Sequence, residues 1–191
     1  MKNIELKASI NNFDKITSLL KKMRAKHINK QYQKDTYYYC RNGRLKVRNI
    51  NNKKFELIFY QRPNRAGKKI SNYQIFKIKP KEVNFTMSIL NKKFGEQTIV
   101  EKNRELWIYK HTRIHIDKVF SLGNFLELET AIKNINIKKA EKEFKEVAKL
   151  LDLKKFKKYS KSYSDLLLRT HQTNQFKLEK FSPVFAKFCL A

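Results

Sequence analysis

Acid is what this chain is short of: 17 Asp and Glu stand against 44 Lys and Arg, for a formal net charge of +27. Cysteine is nearly absent. Cys40 and Cys189 lie far apart and make no metal-ligand spacing, so free thiols in a reducing compartment are expected. No apolar run approaches the ~20 residues that cross a bilayer, and the opening MKNIELKASI lacks the apolar core of a secretion signal. The expectation is a soluble, cytoplasmic protein with no membrane partner. His27, His111, His115 and His171 share no metal-binding spacing. AGKK at 66–69 is no nucleotide-binding loop, because Arg62 and Lys69 stand where glycine and Ser or Thr are needed. There is no internal repeat and no linker.

What is present suffices for a core. The 191 residues are 41% hydrophobic and 13% aromatic, which suits one folded domain. The positive excess asks for a polyanionic partner: nucleic acid, an anionic surface or a phosphate-rich small ligand. Abundant Asn and Ile point to a coding bias that inflates lysine, so charge alone does not choose among them.

Alternation predicts eight strands, over 3–10, 35–40, 44–50, 53–62, 73–80, 98–110, 112–120 and 124–132. Asn42-Gly43 and Asn51-Asn52 mark turns between them, and Pro80 ends the fifth. Helical spacing is found over 12–26, 82–94, 138–152 and 161–169. The chain thus reads as an α+β domain over 1–169, with 170–191 left as a packing helix or a disordered extension.

Nearly every strand has one charged face. Glu5 and Lys7 share a side of the first, and Arg44, Lys46 and Arg48 a side of the third. Lys102 and Arg104 recur on the sixth, Arg113, His115 and Asp117 on the seventh, Glu127 and Glu129 on the last. The opposite faces carry Ile, Leu, Val and Phe, which helices could cover. Closing the eight strands into an antiparallel barrel removes exposed edges and puts the charged faces inside. Buried ions need partners, and a divalent metal with a polyphosphate would supply them.

The ordered segments IELKA, DTYY, GRLKVR, RPNRAGKKISNY, VEKNRELW and RIHIDKVFSLGNFLELE together resemble the CYTH domain of the triphosphate tunnel metalloenzymes. The resemblance runs from about residue 2 to Tyr163 and is strongest to the class IV adenylyl cyclase-like branch. It implies a closed eight-stranded barrel around a tunnel, Mg²⁺ or Mn²⁺ as cofactor, and a triphosphate-containing small molecule as partner, either tripolyphosphate or a nucleoside triphosphate. By the same resemblance Glu5, Asp117, Glu127 and Glu129 hold metal, and Lys7, Lys46, Arg48, Lys102, Arg104 and Arg113 bind phosphate.

Two positions depart from the family pattern. Asn3 replaces the first metal-binding glutamate, and FELIFYQRP lacks the usual strand lysine. Tyr60 and Arg62 are the nearest polar substitutes, and Lys68 and Lys69 could lend charge from the next loop. Glu5, Lys7, Tyr37 and Arg62 form the expected catalytic set. The implied activity is metal-dependent hydrolysis of an inorganic or organic triphosphate. The alternatives are class IV-type cyclisation of ATP to cyclic AMP and pyrophosphate, or a catalytically degenerate polyphosphate- or nucleotide-binding module. Nucleic acid is disfavoured as a partner, because the basic residues are spread along the chain. A monomer or a homodimer is expected.

Overall fold

The computed structural model describes residues 2–61, 69–132 and 135–170. Its frame is one large antiparallel sheet: β1 (Lys2–Ser9), β2 (Lys26–Tyr38), β3 (Arg44–Ile50), β4 (Lys54–Gln61), β5 (Lys69–Ile78), β6 (Glu96–Tyr109), β7 (Thr112–Val119), β8 (Gly123–Ala131) and the two-residue β9 (Lys158–Tyr159). The order is β5-β4-β3-β2-β6-β7-β8-β1-β9, and β5 also pairs with β1. Lys2 faces Asn72 and Glu5 faces Lys69 in that pairing, so the two flanks of the curled sheet meet.

The turns follow local chemistry. Asn51 and Asn52 both take left-handed backbone angles between β3 and β4, a conformation that asparagine tolerates better than most residues. Gly43, at φ +128°, has no room for a side chain: a Cβ there would sit 2.9 Å from both the Phe59 ring and the Tyr60 carbonyl oxygen. Asn12 caps α1 (Phe13–Lys22) by accepting from the Lys15 amide, which sets where that helix begins.

Helices cover the apolar side of the sheet. Ile16 and Leu20 of α1, with Ala140, Phe144 and Val147 of α3 (Ile137–Leu150), pack against Ile4, Ile114, Ile116, Leu126 and Leu128. Val83 and Leu90 of α2 (Val83–Phe94) pack with Tyr38 and Val47, backed by Leu45, Phe55 and Leu57. Helices outside and charge inside is the arrangement found.

Several boundaries differ from the sequence reading. The helix expected over 12–26 stops at Lys22, because Arg24 turns left-handed and the chain enters β2. β2 starts nine residues before the expected 35, and a ninth short strand, β9, pairs with β1 through Lys7–Tyr159 and Ala8–Lys158. Pro80 opens a 3₁₀ turn after β5 ends at Ile78. The helix expected over 161–169 is found as α4 (163–170). Arg62, Lys68 and the tail beyond Thr170 lie outside the described residues. No helix among the described residues is long and apolar enough to cross a membrane.

Candidate active site

Strand alternation delivers one side chain in two to the concave face. A cavity of about 300 Å³ is lined there by Asn3, Glu5 and Lys7 of β1, Lys46 and Arg48 of β3, Lys102 and Arg104 of β6, and Glu127 and Glu129 of β8. Arg113 and His115 of β7, with Gln33 and Tyr37 of β2, belong to the same polar wall. Of the sequence-predicted residues, Glu5, Lys7, Tyr37, Lys46, Arg48, Lys102, Arg104, Arg113, Glu127 and Glu129 line this one cavity. Lys7, Lys46, Lys102 and Arg104 are all buried, an expensive setting for cations that must be matched by acids.

Two aspartates supply much of that match. Asp35, fully buried, accepts from Arg48 Nε at 2.8 Å and Nη2 at 2.9 Å, and from Lys46 Nζ at 2.7 Å. Lys102 stands 3.7 Å away. Asp117, equally buried, takes the same fork from Arg104, at 2.6 and 2.5 Å, and accepts from the Tyr163 hydroxyl at 2.9 Å. In both forks the partners sit opposite each other on neighbouring strands, Arg48 with Asp35 and Arg104 with Asp117. Burial pushes the Asp35 carboxyl up, but Arg48, Lys46 and Lys102 hold it well below the usual range. Burial, then repulsion from Arg48, lowers Lys46 despite Asp35 beside it.

The other acids form a second group. Glu127 meets Lys7 at 3.2 Å and Arg104 at 2.5 Å. Glu129 meets Arg113 at 2.9 Å and His115 at 3.4 Å. Glu5 accepts from the Tyr73 hydroxyl. Burial raises the Glu127 pKa, and Lys7 and Arg104 more than reverse that, leaving it well below the ordinary value.

One end of the cavity is built from the C-terminal segment. Lys7 donates to the Lys161 carbonyl at 3.2 Å, and its ammonium lies 3.6 Å from the centre of the Tyr163 ring. Tyr163 packs with Phe125, Val119 and Leu167. Arg44, at 2.6 Å from Asp165, ties α4 to β3.

The wall that lacks the family's strand lysine is of a different kind. Ile58 and Tyr60 of β4 face Ile75 and Tyr73 of β5 in register, and the tyrosine rings stack at 5.3 Å. Tyr37 donates no charge to this wall, but its hydroxyl is 3.2 Å from Lys46 Nζ. Lys69 is placed opposite Glu5 in the β1–β5 ladder. Asp117 does not line the cavity, since Arg104 and Tyr163 occupy its oxygens.

The sequence reading passed over Asp35, Gln33, Tyr73 and Tyr163. Asp35 heads the DTYY segment, and alternation with Tyr37 was a signal that it faces inward. Among the described residues, Gln33 Oε1 and His115 Nδ1 are buried without a hydrogen-bond partner, which is uncommon for buried polar atoms and marks places a ligand could satisfy.

A divalent cation fits the donor chemistry. Glu5 and Glu129 are register partners and Glu127 lies two residues further along β8, giving the hard oxygen ligands that Mg²⁺ or Mn²⁺ prefers. These carboxylates are engaged with cations and Tyr73, and no ready-made cluster of three or more His, Cys, Asp or Glu ligands exists among the described residues. Asn3 lines the same cavity as a neutral neighbour.

The CYTH domain model matches residues 1–163. The chain is 32% identical over 181 residues to a Methanocaldococcus jannaschii protein named "Putative adenylate cyclase MJ0240", covering 87% of this chain and 98% of that protein. Among solved structures, the PH1012 protein of Pyrococcus horikoshii superposes with a TM-score of 0.73 at 24% identity, over 86% of this chain and 98% of its own. HpAC1 from Hippeastrum, for which a dominant triphosphatase activity is described, gives 0.62 at 13% identity, over 88% and 96%. By the extent of the domain match and by its archaeal relative, this chain belongs to the CYTH domain family.

Proposed function

We propose that the curled sheet works as a closed tunnel in which a triphosphate, inorganic or organic, is hydrolysed to a diphosphate and orthophosphate with a divalent metal. The observation that carries this reading is the burial of Lys7, Lys46, Lys102 and Arg104 around one cavity that also receives Glu5, Glu127 and Glu129. Few small ligands other than a polyphosphate bring enough negative charge to suit so many cations at close range. Arginine forks grip phosphate oxygens two at a time, whereas lysines act as point charges. Phosphoryl transfer is mostly positioning and charge neutralisation, and a tunnel of fixed side chains supplies both.

Arg48, Arg104 and Arg113 would clamp the chain of phosphates, with Lys46 and Lys102 between them. Glu5, Glu127 and Glu129 would hold Mg²⁺ or Mn²⁺, which offsets phosphate charge and makes a bound water more acidic. Asp117, expected from the sequence as a metal ligand, would act here by holding Arg104 in place.

A second reading, ATP cyclisation to cyclic AMP and pyrophosphate, is supported by the name of the M. jannaschii relative. Incubation with tripolyphosphate or ATP and Mg²⁺ or Mn²⁺, followed by product analysis, separates the readings. Orthophosphate is the expected product. Cyclic AMP with pyrophosphate would replace hydrolysis with cyclisation. Calorimetric binding without product would leave a binding module, and neither binding nor product would end all three.

A further inference from the structure

Arg48 and Lys46 line the cavity, but the acid that holds them does not. Asp35 sits behind them, fully buried and absent from the lining. It takes two of the five N–H donors of Arg48, through Nε and one Nη2 hydrogen, and one of the three of Lys46. A bidentate fork fixes the guanidinium plane, because both nitrogens must stay level with both oxygens. The remaining donors of Arg48, at the other edge of the same plane, are thereby given one direction.

We propose that Asp35 is the positioning residue of the phosphate clamp, a buried counterion that sets the Arg48 guanidinium and the Lys46 ammonium for a ligand in the tunnel. This rests on the triphosphate reading for its ligand, but the anchoring itself does not. Asp35 touches no ligand; it acts through the two cations. It also offsets the repulsion among Arg48, Lys46 and Lys102 in a buried space. The titratable and charged groups facing Lys46 are Asp35 and Tyr37 from β2, Arg48 from its own strand, Tyr60 from β4 and Lys102 from β6. Asp35 is the acid among them. Burial and the neighbouring cations already lower the Lys46 pKa while Asp35 opposes them, so losing the carboxylate lowers it further.

The test compares wild type, Asp35→Asn and Asp35→Glu, each with two readouts. The first is an NMR titration of the Lys46 side chain in the protein alone. The second is calorimetric binding of tripolyphosphate with Mg²⁺. Asp35→Asn is expected to move the Lys46 titration down by about one unit or more and to weaken tripolyphosphate binding about tenfold or more. Asp35→Glu keeps the charge but lengthens the reach by one methylene, so it should hold the Lys46 titration near wild type while weakening binding about threefold or more. That split separates positioning from mere charge, and it is available even if Asp35→Asn does not fold. An unmoved Lys46 titration in folded Asp35→Asn, or wild-type affinity in both variants, overturns the assignment. If wild type itself fails to bind tripolyphosphate, the triphosphate reading falls, and the Lys46 titration alone decides whether Asp35 anchors the cations.

Discussion

Glu5 and Glu129 stand directly opposite each other on β1 and β8, two carboxylates in register on one wall of the cavity. Like charges so placed destabilise a ladder. Here the Tyr73 hydroxyl holds Glu5, while Arg113 and His115 hold Glu129. A pair kept at this cost, facing inward beside Glu127, has the makings of a metal site. Glu127→Gln and Glu129→Gln are therefore expected to lower metal-dependent turnover at least about a hundredfold, with the circular dichroism of the sheet retained. Phosphate release measured across a Mn²⁺ titration checks this; wild-type rates in either variant would remove the metal assignment.

The Asp117–Arg104 pair is predicted to matter more to folding than the glutamates do. Arg104 is buried, and Asp117 accepts from two of its nitrogens and from Tyr163. Removing one partner of such a pair leaves a buried charge uncompensated, at a cost of about 3–5 kcal/mol. Glu127 remains as a second acceptor for Arg104, which places Asp117→Ala toward the lower end. Urea denaturation measures the loss, and a change under ~1 kcal/mol would show that the fork contributes little. Tyr163→Phe, which deletes one hydrogen bond to a charged acceptor, should cost about 1–3 kcal/mol in the same assay.

What could be read in advance was what repeats every second residue. Glu127 and Glu129 share a face by alternation, as do Lys46 and Arg48, and both pairs are found in the cavity. The first half of β2 was not legible, because both of its sides are polar: Gln31 and Gln33 face the cavity and Lys26 and Lys30 face solvent. Alternation needs contrast, and none is present there. The grip of Asp35 on Arg48 depends on the β2–β3 register, and that of Tyr163 on Asp117 joins residues far apart in sequence. Neither leaves a local pattern. The apolar wall of Ile58, Tyr60, Tyr73 and Ile75 was visible only as a missing lysine.

Acid tolerance follows from the buried carboxylates. Burial raises the pKa of Asp35 and of Glu127, and the cations around each outweigh it, so both end well below their ordinary values. A depressed folded pKa contributes stability that is fully present above the unfolded value, about 4, and is lost as the pH falls through the folded value. Melting temperature should thus hold nearly level from pH 7 to about 4 and drop only below that. A sharp fall between pH 6 and 5 would mean that these ion pairs do not form as described. Asp35→Asn, where it folds, should flatten part of the acid limb.

The end of the cavity built from the C-terminal segment depends on a short reciprocal cap. The Ser162 amide donates to Asp165 Oδ2 at 2.9 Å, and the Asp165 amide donates back to Ser162 Oγ at 3.1 Å. This satisfies two of the amides that a helix start leaves unpaired, in the manner of a capping box. It also fixes α4 at the point where Tyr163 enters the cavity beneath Lys7. Ser162→Ala removes one half of the exchange and should cost about 1 kcal/mol, concentrated in α4. Hydrogen exchange is the suitable measurement, because it reports local opening separately from global unfolding. Amides of 163–170 should exchange several times faster in the variant, while β2 and β6, the longest paired strands, keep their protection. Equal acceleration across the whole sheet would mean that the cap serves the fold at large, and unchanged α4 exchange would mean that Arg44 and the Tyr163 packing hold this end without it.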